Sequence, residues 1–157
     1  MKGLAIAVIF LSMAAGMMAQ GQPVPEKDMK KAVVTLYQVA EFPTNPVEHS
    51  PGAEYIQDYK VLAKKELSKV EVDSLKPILA DSSNYIFNVA KSCPFIAIYA
   101  LRIEKKSGVT DIIISRESCI KLIIKSSAEA VTRYYDLRKQ NAIFPLLEKM
   151  IGEGKGI

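Results

Sequence analysis

The 157-residue chain predicts an α+β domain, a mainly antiparallel sheet with a central hairpin and helices before and after it. Three observations carry this. Residues 95–104 and 109–116 are apolar, β-prone runs separated by a short polar link that contains Gly108. Two capping boxes, Ser68 with Glu71 and Ser126 with Glu129, each precede residues spaced as a helical stripe. The strand-like runs cluster in mid-chain and do not alternate with helices, which disfavours a parallel sheet.

Residues 1–19 read as a secretory signal peptide. Lys2 supplies the positive start, and residues 4–19 form an apolar block of sixteen with Ser12 as its one polar member. A membrane-spanning helix needs about 20 such residues, so cleavage is favoured over an uncleaved anchor. The cut falls after Ala19 or after Gly16, and no cysteine stands near it to carry a lipid. Removal leaves 138 residues, a normal size for one domain. Residues 32–152 are assigned to it, with 153–157 as a frayed tail.

Residues 20–31, with two prolines and five charges and no apolar period, predict a flexible lead-in. Residues 32–42 are rich in valine, leucine and aromatics and predict a strand ended by Pro43. The 43–52 stretch holds three prolines, Asn45 and His49, the sole histidine, and reads as an irregular surface loop. Residues 55–67 fit a short helix or a strand, and a strand over 59–64 is favoured. Val72, Leu75, Ile78 and Leu79 then mark a helix after Ser68; Pro77 within it predicts a kink, or a split near Lys76. Asp81, Ser82 and Ser83 cap a further short turn through Tyr85 and Phe87.

Closing the central hairpin with a four-residue loop at 105–108 pairs residues whose numbers add to 213. Leu101 then stands beside Ile112, Tyr99 beside Ile114 and Arg102 beside Asp111. Cys93 and Cys119 add to 212, one residue out of register, and Pro94, which lacks an amide donor, offers a bulge that absorbs the offset. An even cysteine count in an exported chain favours a Cys93–Cys119 disulfide over two free thiols or a redox pair, which would show C-x-x-C spacing or a neighbouring histidine.

After the hairpin, residues 120–125 continue the strand or form a third one. Ser126 and Glu129 predict a helix to about Arg138 that carries Tyr134 and Tyr135. A last helix begins near Asn141, tolerates Pro145 in its first turn, buries Ile143, Leu146, Leu147, Met150 and Ile151, and stops at Gly152.

Ser83-x-Tyr85, Lys91-Ser92-Cys93-Pro94-Phe95, the apolar hairpin and Ser118-Cys119 together resemble a loose group of small exported bacterial proteins of unknown function. The likeness spans about residues 67–124. It implies the helix, turn and hairpin order and the cysteine pair, and no activity.

Charge and chemistry narrow the function classes. The mature chain has twenty basic and seventeen acidic residues, with the basic ones scattered in pairs, a solvated surface and not a nucleic-acid footprint. His49 lies between Glu48 and Ser50 on a loop, where neighbours point to opposite sides, so the triplet is no prearranged triad. The cysteines lack zinc spacing, and Glu66, Glu71, Asp73 and Asp81 flank one helix and serve caps and solvent. Gly152, Gly154 and Gly156 follow no strand and form no phosphate loop. No catalytic, cofactor or metal residue is assigned. Tyr37 and Phe42 on the first strand, and Tyr134 and Tyr135, read first as core packing and second as a partner surface. The expected protein is a periplasmic or extracellular binding, inhibitor or envelope-associated module, working through its sheet face or the 43–52 loop on a protein or envelope partner. Its rival is a small envelope hydrolase assembled from distant carboxylates and hydroxyls.

Overall fold

Alternating burial along the strands builds one eight-stranded antiparallel sheet in the order β2-β3-β1-β5-β6-β7-β8-β4. The computed structural model describes residues 23, 24, 26–87, 91–115, 119–127 and 131–153. The expected signal peptide and the tail beyond Glu153 lie outside them. The strands are β1 (Val33–Val39), β2 (Tyr55–Ile56), β3 (Tyr59–Glu66), β4 (Tyr85–Ile86), β5 (Ala97–Lys105), β6 (Gly108–Ser115), β7 (Lys121–Ser126) and β8 (Val131–Leu137). Helices α1 (Glu26–Met29), α2 (Lys69–Ala80) and α3 (Ile143–Glu153) complete the fold, with single 3₁₀ turns at Pro46–Glu48 and Ser82–Asn84.

The main core lies between the sheet and its helices. Leu36, Leu101, Ile112, Leu122 and Leu137, all fully buried, meet Leu75 and Leu79 of α2 and Ile143 and Leu147 of α3. Burying a side chain of this size contributes about 1.5–3 kcal/mol. The segment read as a flexible lead-in also serves this core: Val24 and Met29 are buried in it, because one turn of helix aims Met29 inward.

Ser68 opens α2 as the sequence predicts, accepting from the Glu71 amide while the Glu71 carboxylate accepts from the Ser68 amide at 2.8 Å. The helix is one continuous element through Pro77 and is not split near Lys76. Asp81 caps the following turn through the Ser83 amide, and the buried Tyr85 hydroxyl donates to the Leu79 carbonyl at 2.7 Å, tying β4 to the end of α2. Asn141 opens α3 by accepting from the Ile143 and Phe144 amides, and the helix runs past Gly152 to Glu153.

The hairpin register is the predicted one from Tyr99 to Lys105, including Leu101 opposite Ile112 and Arg102 opposite Asp111. Its loop is tighter than expected, since Lys105 still pairs with Gly108. Cys93 and Cys119 form a disulfide with Cα atoms 5.9 Å apart. The one-residue offset arises not at Pro94 but at Ile98: Ala97 pairs with Ser115 and Tyr99 with Ile114, leaving Ile98 without a partner.

The helix predicted from Ser126 to Arg138 is a strand. Ser126 ends β7, pairing with Thr110 and Val131, and Tyr134 and Tyr135 belong to β8. Period-two burial decides it, with Tyr135 packed on the helix-covered core and Tyr134 71% exposed on the other face. The first strand is also shorter than expected: β1 stops at Val39, and Phe42 projects into solvent.

Candidate functional site

The face away from the helices is partly roofed by the β2–β3 hairpin. Its two-residue turn, Gln57 and Asp58, has φ of 49° and 69°, the pair of left-handed residues a type I′ turn requires. Ile56 and Tyr59 beside that turn bury against Tyr37, Ala97, Ala100 and Ile113. The small side chains of Ala97 and Ala100 let the hairpin lie close to the sheet. Gln57 Nε2 donates to Asp111 Oδ2 at 2.7 Å, and Asp111 accepts from Arg102 Nε at 2.8 Å and Nη2 at 3.0 Å. The Asp111 hydrogen bond holds the Arg102 guanidinium above its ordinary pKa. Burial pushes the Tyr37 hydroxyl up against the opposing effect of Arg102, and burial raises Tyr59 as well. All these groups are mutually satisfied or enclosed, so they fasten the roof and offer little to a ligand.

At the end of the roof two irregularities meet. On one side of β1, Gln38 pairs with Ala63 and Val39 with Val61, so Leu62 of β3 has no partner. On the other side of β1 lies β5, whose Ile98 is left unpaired in the ladder with β6. A bulge bends its strand and re-aims a side chain. The two bulged residues, Leu62 from the β1–β3 ladder and Ile98 from the β5–β6 ladder, both line a cleft of about 350 Å³ together with Gln38, Val39, Glu41, Ile96 and Ala97. Of its lining residues Val39 and Ala97 are buried, while Leu62 is 59% exposed. The backbone holds the wall: the Ala97 amide donates to the Glu41 carbonyl and the Ala40 amide to the Lys60 carbonyl, both at 2.9 Å. The Gln38 amide and the Glu41 carboxylate make no side-chain bond to any described residue.

Residues singled out from the sequence fall elsewhere. His49 is less exposed than a free loop histidine: its ring stacks on Tyr55 at 3.6 Å between centroids, with Nε2 enclosed 3.8 Å from Asp58 Oδ1. Neither Glu48 nor Ser50 joins it in a triad; the Ser50 amide donates to the Tyr55 hydroxyl. Glu71 bonds Lys65 and the α2 cap, Asp73 bonds Lys76, and Asp81 caps its turn. The cysteines are bonded to each other, and Lys121 Nζ donates to the Lys91 and Cys93 carbonyls, fastening the chain beside the staple. Among the described residues no group of three or more His, Cys, Asp or Glu is placed to hold a metal ion, and no helix is long and apolar enough to cross a membrane. Leu62 and Ile98, the bulged residues that line the cleft, carry no sequence signal beyond an apolar side chain out of step with its strand.

Comparison with protein-family models, curated proteins and solved structures finds no match for this chain.

Proposed function

We propose that this protein is an exported binding module whose site is the double-bulge cleft, where it receives an apolar group of its ligand. The observation that carries the reading is Leu62, a large aliphatic side chain 59% exposed in a lining whose Val39 and Ala97 are buried. Such a surface costs free energy in water and gives it back when covered, at about 25 cal/mol per Å². The volume falls at the lower end of the range for small-molecule sites, about 300–1,000 Å³. The cleft lining is aliphatic apart from Gln38 and Glu41, and Glu71, Asp73, Asp81 and Asp111 are committed to caps, ion pairs or the roof latch away from it, which favours recognition over catalysis. Export rests on the N-terminal apolar segment and agrees with a disulfide-stapled domain.

Fragment screening by amide chemical shifts on the mature protein tests this. Hits should cluster at residues 38–41, 62 and 96–98 and be lost in Leu62→Ser, while Val70→Ser, at another exposed apolar position, keeps them. Hits confined to the β7–β8 side of the open face would place the site elsewhere. N-terminal sequencing of the secreted protein should begin at Gln20 or Met17, and a chain retaining Met1 would remove the case for cleavage.

A further inference from the structure

We infer that the loop at residues 43–52 is a preorganised docking element that enters an apolar pocket with a basic rim on a protein partner. No residue of this loop lines the cleft, so the inference does not depend on the cleft being a binding site. Val47, on the 3₁₀ turn at Pro46–Glu48, is 86% exposed, the highest value for a large apolar residue among those described. The backbone beneath it is nonetheless fastened. Asn45 Oδ1 accepts from the Val47 amide at 3.3 Å, and the Asn45 carbonyl accepts from the Glu48 amide at 2.8 Å. Toward the roof, the Thr44 amide donates to the Asp58 carbonyl at 2.8 Å and the Ser50 amide to the Tyr55 hydroxyl at 3.0 Å, while the His49 ring stacks on Tyr55. Prolines at 43, 46 and 51 fix φ at three further points. A loop held in one conformation before binding loses little entropy on binding, and its exposed apolar side chain is an anchor ready for a pocket.

Charge selects the rim. Between Lys31 and Lys60 the chain has no Lys or Arg, although it carries 21 of them in all, and Glu41, Glu48, Glu54 and Asp58 fall in that interval. Glu54 is bonded to Lys64, and Asp58 faces His49. Glu48 follows Val47 on the same turn and is exposed, so an acid accompanies the apolar anchor wherever the turn docks. A partner with Lys or Arg around its pocket matches this pair, and complementary charge of that kind governs encounter and partner choice. An anionic bilayer would instead repel the carboxylate beside the tip. A turn this exposed calls for a concave surface to receive it, which a protein supplies and a small molecule does not.

The probe is the mature protein carrying the photo-crosslinking residue benzoylphenylalanine in place of Val47, or in place of Val70, which is 76% exposed on α2, each irradiated with the envelope of the producing cell. Position 47 should give one discrete protein adduct and position 70 should not. The protein so identified is then purified and titrated with the native chain and its variants. Val47→Ser should weaken binding about tenfold, the loss expected for leaving such a pocket unfilled. Glu48→Lys should weaken it as well and abolish the fall in affinity that added salt causes with the native chain. Leu62→Ser should leave the affinity unchanged, which separates the loop from the cleft. No protein adduct at position 47, equal adducts at both positions, or adducts to lipid alone overturn the inference. Binding that survives Val47→Ser and is lost in Leu62→Ser overturns it too, and assigns the partner to the cleft.

Discussion

Arg102 and Asp111 face each other across the β5–β6 ladder and form a two-pronged ion pair, with both carboxylate oxygens engaged at 2.8 and 3.0 Å. The Asp111 side chain is 3% exposed and that of Arg102 26%, so the pair is wet on one side only. Gln57 reaches it from the hairpin turn and makes Asp111 the point where roof and sheet are joined.

Asp111→Ala should therefore destabilise the fold strongly. Removing one member of a buried pair costs about 3–5 kcal/mol, and the partial exposure of Arg102 places this one near about 3. Gln57→Ala removes one bond to a charged acceptor and should cost about 1.5 kcal/mol. Urea denaturation at neutral pH measures both. Equal losses for the two variants would mean that the ion pair contributes little beyond the latch.

The Cys93–Cys119 bridge closes a loop across 26 positions, which constrains the unfolded chain by about 3 kcal/mol. The double Cys93→Ala, Cys119→Ala variant should lose that stability while keeping the sheet, because the β5–β6 ladder is complete from Tyr99 to Lys105 without it. Denaturation midpoints and far-ultraviolet circular dichroism check the two statements separately. Mass measurement of the native protein should show a gain of two hydrogens on reduction.

Glu71 links the α2 cap to pH. The hydrogen bond from Lys65 is the largest influence on it and, with the Ser68 bonds, holds its carboxyl below the ordinary glutamate range. A carboxyl with a lowered folded value stabilises the fold fully above its unfolded value, about 4.3, and loses that contribution as pH falls through the lowered value. Glu71→Gln should thus be less stable than the native protein at neutral pH, and the gap should close in acid. A gap that stays constant between neutral and acidic pH would show that packing, and not charge, is what the variant removes. Ser68→Ala should cost about 1 kcal/mol at neutral pH, and less in acid, because the Ser68 hydroxyl also donates to the Glu71 carboxylate.

Much of the fold is legible locally. Ser68 and Glu71 sit three residues apart and satisfy each other's backbone amides within one turn, so their spacing alone predicts the start of α2. Residues 95–116 predict their own pairing because a tight turn leaves few registers, and the cysteine numbers expose the single slipped residue. Ser126 shows the limit. Its spacing to Glu129 is an equally good capping box, yet Ser126 pairs with Thr110 and Val131 in the sheet. The burial of Leu122, Ile124 and Leu137 outweighs a cap worth about 1 kcal/mol.

The candidate site is less legible still, for a reason of geometry. The sequence by itself determined the fold class, the hairpin register, the cysteine pairing and the α2 start, because each depends on residues close along the chain or on chemistry fixed by residue type. Tertiary structure alone decided that β1 lies between β3 and β5, bringing Leu62, unpaired against β1, and Ile98, unpaired against β6, into one cleft lining. A bulge is a mismatch between two strands and exists only once both are paired. The cleft that Leu62 lines is therefore a property of the assembled sheet and of no single segment.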